Sequence, residues 1–368
     1  MRAARLIAFY LPQFHPIPEN DEWWGKGFTE WTNVAKARPL FRGHRQPRLP
    51  GELGFYDLRL PETRIAQAEL AREHGIEGFC YWHYWFAGKR LLERPFNETL
   101  TSGQPDLPFC LAWANESWSG TWHGRPDRVL IEQTYPGEAD HTEHFRVVLP
   151  ALQDPRYITV DGKPVFVVYH PKKLPSPKAF AELWRRLAEA AGLPGLYFVG
   201  FSRGEWAPGE HGFDATLPHG WPATAQTHLD RALYRHSGRT LKTLALPLYA
   251  RIRLGAPGPR VYDYSAMFDG VYDAPLPADR YPVVFPNWDN TPRSGVRGYV
   301  LQHSSPDLFG GFVQRAIAQV GDRDYERRIV FIKSWNEWAE GNYLEPDMET
   351  GRKYLEAVKA AAGATEYG

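Results

Sequence analysis

Two cysteines in 368 residues, Cys80 and Cys110, cannot build a disulfide framework or a cysteine-rich metal site. Both lie in apolar runs, where free thiols behave as small buried hydrophobes. An excess of one charge is missing too: 43 Lys and Arg balance 43 Asp and Glu. A net charge of zero argues against a nucleic-acid polyanion as main partner. No uncharged stretch approaches the length of a membrane span. Met1-Arg2-Ala3-Ala4-Arg5 runs into a strand-like segment without the apolar core and cleavage site of a secretory leader. A cytoplasmic location is therefore expected, with a secreted or periplasmic one the alternative if a leader has been removed. No Gly-x-Gly-x-x-Gly or Walker loop follows a strand-like run, so nucleotide chemistry lacks its usual mark. A Gly-x-Ser-x-Gly elbow is absent, which removes the α/β-hydrolase reading. Thirteen histidines show no His-Glu-x-x-His or other ligand spacing. Neither a metal nor an organic cofactor is expected. The sequence carries no internal repeat and no low-complexity tract, and it leaves the oligomeric state open.

What is present in quantity is aromatic: 14 Trp, 19 Tyr and 20 Phe. Many stand beside polar residues, as in Trp23-Trp24, Tyr81-Trp82-His83-Tyr84-Trp85 and Trp113-Ala114-Asn115-Glu116. A groove that stacks flat apolar faces and hydrogen-bonds hydroxyls uses that mixture, and sugars present both features. Composition alone fits Trp-rich loops on a large protein equally well.

Short apolar runs recur, most followed by polar or aromatic residues. They cover 6–11, 78–81, 109–113, 165–169, 196–201, 215–217, 283–285 and 329–332. Several are continuous rather than alternating, which suits strands covered on both faces. Helical patterns lie between many of them, at 61–74, 139–152, 177–191, 310–320 and 351–362. The length allows two or three domains, but eight strand–helix alternations predict an α/β fold, a (β/α)8 TIM barrel with extended βα loops. On this reading residues 1–368 form one catalytic domain. The stretches 19–58, 116–137 and 222–280 are long for plain loops, and on a barrel the loops after strands form the active face.

The sharpest constellation is Ser334-Trp335-Asn336-Glu337-Trp338-Ala339-Glu340-Gly341, followed by Glu345-Pro346. Two carboxylates three residues apart follow the last strand. Paired carboxylates in unequal environments equip glycosidic bond cleavage, because one donates a proton while the other stays ionised. A bare Glu-x-x-Glu is more often two solvated residues of a helical turn; the flanking Trp-Asn and Gly favour the catalytic reading. Asn115-Glu116, near Trp113, Trp118 and Trp122, places a second acid at a strand end. Asn287-Trp288-Asp289-Asn290-Thr291-Pro292-Arg293 suits hydroxyl recognition, although Asp and Asn also favour capped turns. Tyr10, Gln13, His15, Asn20, Trp23, Trp24, Glu30 and Trp31 form a further candidate wall. Tyr81, His83, Tyr169, His219, Trp335 and Asn336, also at strand ends, complete the candidate substrate contacts.

The final motif closely resembles that of glycoside hydrolase family 99, the endo-α-mannosidase and endo-α-mannanase family. The whole chain is more similar to that family's bacterial relatives, the WbsX-like proteins associated with polysaccharide and O-antigen biosynthesis. The residues that carry this are 9–15, 23–34, 78–84, 113–116 and 287–293, and with the final motif, which ends at Pro346, they run along nearly the whole chain. The resemblance implies a retaining hydrolase for α-linked manno- or rhamno-configured residues of a bacterial polysaccharide, with an unusual mechanism. Glu337 would be the base on the substrate's own 2-hydroxyl, whose oxygen displaces the leaving group to form a 1,2-anhydro sugar. Glu340 would protonate the leaving oxygen and then activate water. Three rivals stand beside it: double displacement with Glu337 as nucleophile and Glu116 as acid/base, a glycosyltransferase or transglycosylase of cell-surface polysaccharide, and a carbohydrate-binding protein without catalysis.

Overall fold

A computed structural model describes residues 3–120, 125–202, 206–218, 258–267 and 271–363. Its centre is a parallel sheet of eight strands: β1 Arg5–Tyr10, β2 Ile76–Phe86, β3 Phe109–Trp113, β4 Lys163–Val168, β5 Tyr197–Ser202, β6 Ala215–Pro218, β7 Val283–Val284 and β8 Ile329–Ile332. Their order is 6-5-4-3-2-1-8-7. The remaining gap is bridged by the lead-in to β7: Thr216 N–H donates to Asp279 O, and Tyr281 N–H donates to Thr216 O. The predicted (β/α)8 barrel is the observed fold.

Around it lie helices α1 Pro18–Trp24, α2 Glu30–Lys36, α3 Pro61–Glu73, α4 Arg94–Ser102, α5 Glu138–Leu152, α6 Pro177–Ala190, α7 Thr291–Ser294, α8 Pro306–Ala318 and α9 Lys353–Gly363. Local signals set several ends. Pro61 opens α3, where its missing N–H costs nothing. Ser176 caps α6 by accepting from Ala179 N–H, and Ser305 caps α8 through Leu308 N–H. The long stretch 19–58 contains α1 and α2, and 116–137 contains a short hairpin of Trp118–Gly120 with Arg125–Ile131. Helix α4 carried no pattern strong enough to be read. Of the third long stretch, 219–257 and 268–270 lie outside the described residues.

Side-chain parity along the strands separates two packed layers. Inward, Phe9 stacks on Trp82 at 4.9 Å and on Phe331 at 5.5 Å, and Phe201 and Tyr169 complete the filling. Outward, Tyr81 meets Phe96 of α4 at 5.2 Å, and Trp113 meets His144 of α5 and Phe180 of α6. Cys80 and Cys110 are register partners on β2 and β3, both free and buried as expected. Among the described residues no helix is long and apolar enough to cross a membrane.

Candidate active site

Past β8 the chain stays tied to β1. Trp335 N–H donates to Phe9 O, and the Asn336 amide accepts from Leu11 N–H at 2.7 Å and donates to Leu11 O at 3.0 Å. Asn336 and Glu337 then pair antiparallel with Asn342 and Tyr343, and Trp338–Glu340 forms the turn between them. Gly341 closes that turn at φ +67°, and a Cβ there would lie 2.7 Å from the Asp289 nitrogen. Only glycine meets both demands. The close approach is used, because Asp289 N–H donates to Glu340 O at 2.7 Å.

The turn presents Glu337 and Glu340 to Arg293 on α7. The Arg293 guanidinium donates from Nη2 to Glu337 at 2.6 Å, from Nη1 to Glu340 at 2.8 Å and from Nε to Glu30 at 2.8 Å. Glu30 is the first residue of α2, whose start is fixed by Thr29 and Thr32 in a capping box and by Glu30 N–H on Gln13 O. Three carboxylates from two distant segments thus surround one cation in a nearly dry pocket. Glu30 is 1% and Glu337 5% exposed.

Burial raises the Glu337 carboxyl. Arg293 pulls it down, Glu340 and Glu30 push it up again, and the outcome is about 7. Burial alone would weaken the Arg293 charge, but its three carboxylates outweigh it and keep the guanidinium protonated. The Tyr84 phenol is raised by burial and by its neighbours Glu337, Glu30 and Glu340, so it stays neutral and able to donate. Its ring stands 5.0 Å from Trp118, which in turn lies 5.9 Å from Trp23. An aromatic wall therefore runs away from the acid cluster.

Of the candidates read from sequence, the structure brings Glu337, Glu340, Glu30 and Arg293 together. Gln13 supports them through its carbonyl. Trp31 lies underneath, 5.5 Å from Trp338, with its indole N–H on Tyr56 O. Trp24 is half-buried at the end of α1, near Phe28. Trp288 is half-buried with the Lys333 ammonium 4.9 Å over its ring. Tyr169 belongs to the inward layer beside Trp82.

Other candidates are placed as supports or in the core. Asp289 is fully buried: its carboxylate accepts from His44, Gln46 and Thr291, and these bonds outweigh burial and hold it below the ordinary range. Asn336 spends its amide on the β1 backbone. Tyr10, Tyr81, His83 and Trp113 point outward under the helices because their parity is opposite to that of Phe9, Trp82 and Tyr84. The Tyr10 hydroxyl donates to Gln67, His83 Nε2 meets His144 Nε2 at 2.8 Å, and the Trp113 indole donates to Trp85 O. Trp335 is fully buried against Phe79, and His15 is buried with Nδ1 on Pro12 O. Asn115 ties β3 to β4 by pairing with both backbone groups of His170.

Glu116 sits apart from the Arg293 cluster, with His170 Nε2 at 2.6 Å and Lys173 at 3.4 Å. Burial lifts its carboxyl, but His170 and Lys173 outweigh that and hold it below the ordinary value. His219 and Trp122 lie outside the described residues.

Residues 6–358 match the family described as Glycosyltransferase WbsX. The chain is 40% identical over 365 residues to WxcX of Xanthomonas campestris pv. campestris strain B100, and equally to WxcX of strain ATCC 33913. These alignments cover 97% of this chain and 49% of each relative, so the chain spans about half the length of the curated relatives it matches. Two solved structures share the fold. One is a glycoside hydrolase-like protein (TM-score 0.58, 16% identity, 98% of this chain and 94% of that one). The other is the family 99 endo-α-mannosidase of Bacteroides thetaiotaomicron (TM-score 0.56, 15% identity, 97% and 96%). By its match along nearly the whole sequence, the chain belongs to the WbsX family, and it is built on a barrel shared with glycoside hydrolases.

Proposed function

We propose that residues 1–368 act as one catalytic barrel, a retaining glycoside hydrolase for α-linked manno- or rhamno-configured residues of a bacterial polysaccharide. The observation that carries this reading is the pair Glu337 and Glu340 held on one guanidinium, with the Glu337 carboxyl near 7. A base poised near neutrality serves proton transfer best. The neighbouring Glu340 and Glu30 carboxylates are part of what raises Glu337 against the pull of Arg293. A 2-hydroxyl donates to Glu337, and a glycosidic oxygen accepts from Glu340.

In the first step Glu337 takes the 2-hydroxyl proton and that oxygen attacks the anomeric carbon. The leaving oxygen departs with the Glu340 proton, and a 1,2-anhydro sugar remains. In the second step water gives a proton to Glu340 and opens the three-membered ring at the anomeric carbon. The ring oxygen regains its proton from Glu337. Two inversions give net retention. An axial 2-hydroxyl opposite an axial leaving group, as in α-mannosides and α-rhamnosides, meets the geometric demand. No metal or organic cofactor enters these steps.

The substrate is proposed to be a glycan of the O-antigen or capsule type, handled in the cytoplasm. A nucleoside-diphosphate donor fits the cluster poorly, because its pyrophosphate would meet carboxylates whose guanidinium is already engaged. The held-down Glu116 carboxyl likewise disfavours it as the acid of a double displacement.

The test uses α-mannosyl and α-rhamnosyl fluoride, followed by proton NMR. Release of the sugar first as its α-anomer is the expected result. A first-formed β-anomer, or transfer only from GDP-mannose with neither fluoride hydrolysed, would overturn the reading.

A further inference from the structure

Glu345 is 2% exposed and lies behind the turn that carries Glu337 and Glu340. Its Oε2 accepts from the Trp338 indole N–H at 2.6 Å and from the Tyr56 hydroxyl at 2.8 Å. Its Oε1 accepts from the Gln67 amide at 2.6 Å. Gln67 is oriented for this by the Tyr10 hydroxyl, which donates to its carbonyl oxygen. Tyr56 in turn accepts from Asn336, the residue that clamps Leu11. A buried carboxylate that draws donors from α3, the loop before it and the turn itself is costly to build for packing alone.

What this network holds is Trp338, which stands between the two glutamates in sequence. An indole has one hydrogen-bonding atom, and here it is spent on Glu345. The ring lies 3.7 Å from Tyr343 in a near-parallel stack and 5.5 Å from Trp31, whose chain neighbour is Glu30. Any shift of this ring moves the Glu337–Glu340 turn and presses on the segment that supplies the third carboxylate.

We propose that Glu345 is a positioning residue that sets the spacing of Glu337, Glu340 and Glu30 by fixing the Trp338 indole. Its kinetic consequence rests on the hydrolase reading above; its structural consequence does not. Small misplacements of reacting groups are expensive, on the order of 10²-fold for about 1 Å.

The test compares wild type, Glu345→Gln, Trp338→Phe and the double variant on α-mannosyl fluoride, with amide and indole NMR on each. Glu345→Gln keeps the size of the side chain but loses the charged acceptor. It should lower kcat by about 10- to 100-fold with KM nearly unchanged. Trp338→Phe should do the same, and the double variant should be no worse than the poorer single one, because Glu345→Gln weakens and Trp338→Phe removes the same bond. The Trp338 indole resonance, assigned by its loss in Trp338→Phe, should move upfield in Glu345→Gln. An unmoved indole resonance, additive losses, or a folded variant with wild-type kcat would overturn the proposal. If Glu345→Gln does not fold, wild-type kcat in Trp338→Phe overturns it alone. If wild type leaves the fluoride intact, the hydrolase reading fails and the indole shift decides the positioning role.

Discussion

Glu337→Gln should abolish turnover and at the same time make the protein harder to unfold at alkaline pH. The first effect follows from losing the base. The second follows from linkage. In the unfolded chain the Glu337 carboxyl has its ordinary value of 4.5, and in the folded chain it is near 7. Between those values the folded state binds more protons, so stability falls as pH rises through the window. Above it, the ionised, crowded carboxylate costs on the order of 3 kcal/mol, the free-energy equivalent of that gap. Gln carries no charge and escapes this cost, while Arg293 keeps Glu30 and Glu340. Thermal unfolding of both proteins at pH 4 and pH 8 checks the expectation: the variant should gain several degrees at pH 8 relative to its difference at pH 4. An equal difference at both values, or retained activity, would contradict it. The same titration sets the acidic limb of kcat/KM, which should fall below pH 7 as the base is protonated.

Glu340→Gln should separate substrates by their leaving groups. Loss of a general acid costs about 10²- to 10⁴-fold, but an activated phenolate departs without a proton. Hydrolysis of a natural α-linked glycan should collapse by that factor, whereas the first step on a dinitrophenyl glycoside should survive. The second step slows in both cases, because the same carboxylate activates water. The measurement is kcat/KM on the two substrate classes, which reports the first step alone. Equal losses on both would remove Glu340 from the acid role.

The barrel was legible because its strands are apolar runs flanked by recognisable helices, and continuous burial on both faces is what marks a barrel strand. That same feature hid the side-chain directions. Almost every position from Ile76 to Phe86 is buried, so no alternation shows which residues face the axis. The sequence reading puts Tyr81 and His83 among the site candidates; their side chains pack under α4 and α5, and it is Tyr84, one position on, that has Glu337 as a neighbour. Glu337 and Glu340 were readable because their chemistry and spacing are local. The supports were not. Asp289 draws on His44 and Gln46, and Glu345 draws on Tyr56 and Gln67; both contacts span more than 200 positions. Asn-Trp-Asp near 288 therefore reads as a sugar contact, while the backbone N–H of its aspartate holds the turn that carries Glu337 and Glu340. Helix α4 is not legible in the sequence because Arg94–Ser102 is short and carries few apolar residues.

The central claim is that the substrate's own 2-hydroxyl is the nucleophile and Glu337 its base. Intact-protein mass spectrometry after incubation with 2-deoxy-2-fluoro-α-mannosyl fluoride tests it most directly, with the parent α-mannosyl fluoride as the turnover control. The fluoro sugar keeps the leaving group but has no hydroxyl to deprotonate. The parent should be hydrolysed while the protein exposed to the 2-fluoro compound keeps its unmodified mass. A stable glycosyl adduct mapped to Glu337 would contradict the account and establish that carboxylate as the nucleophile of a double displacement.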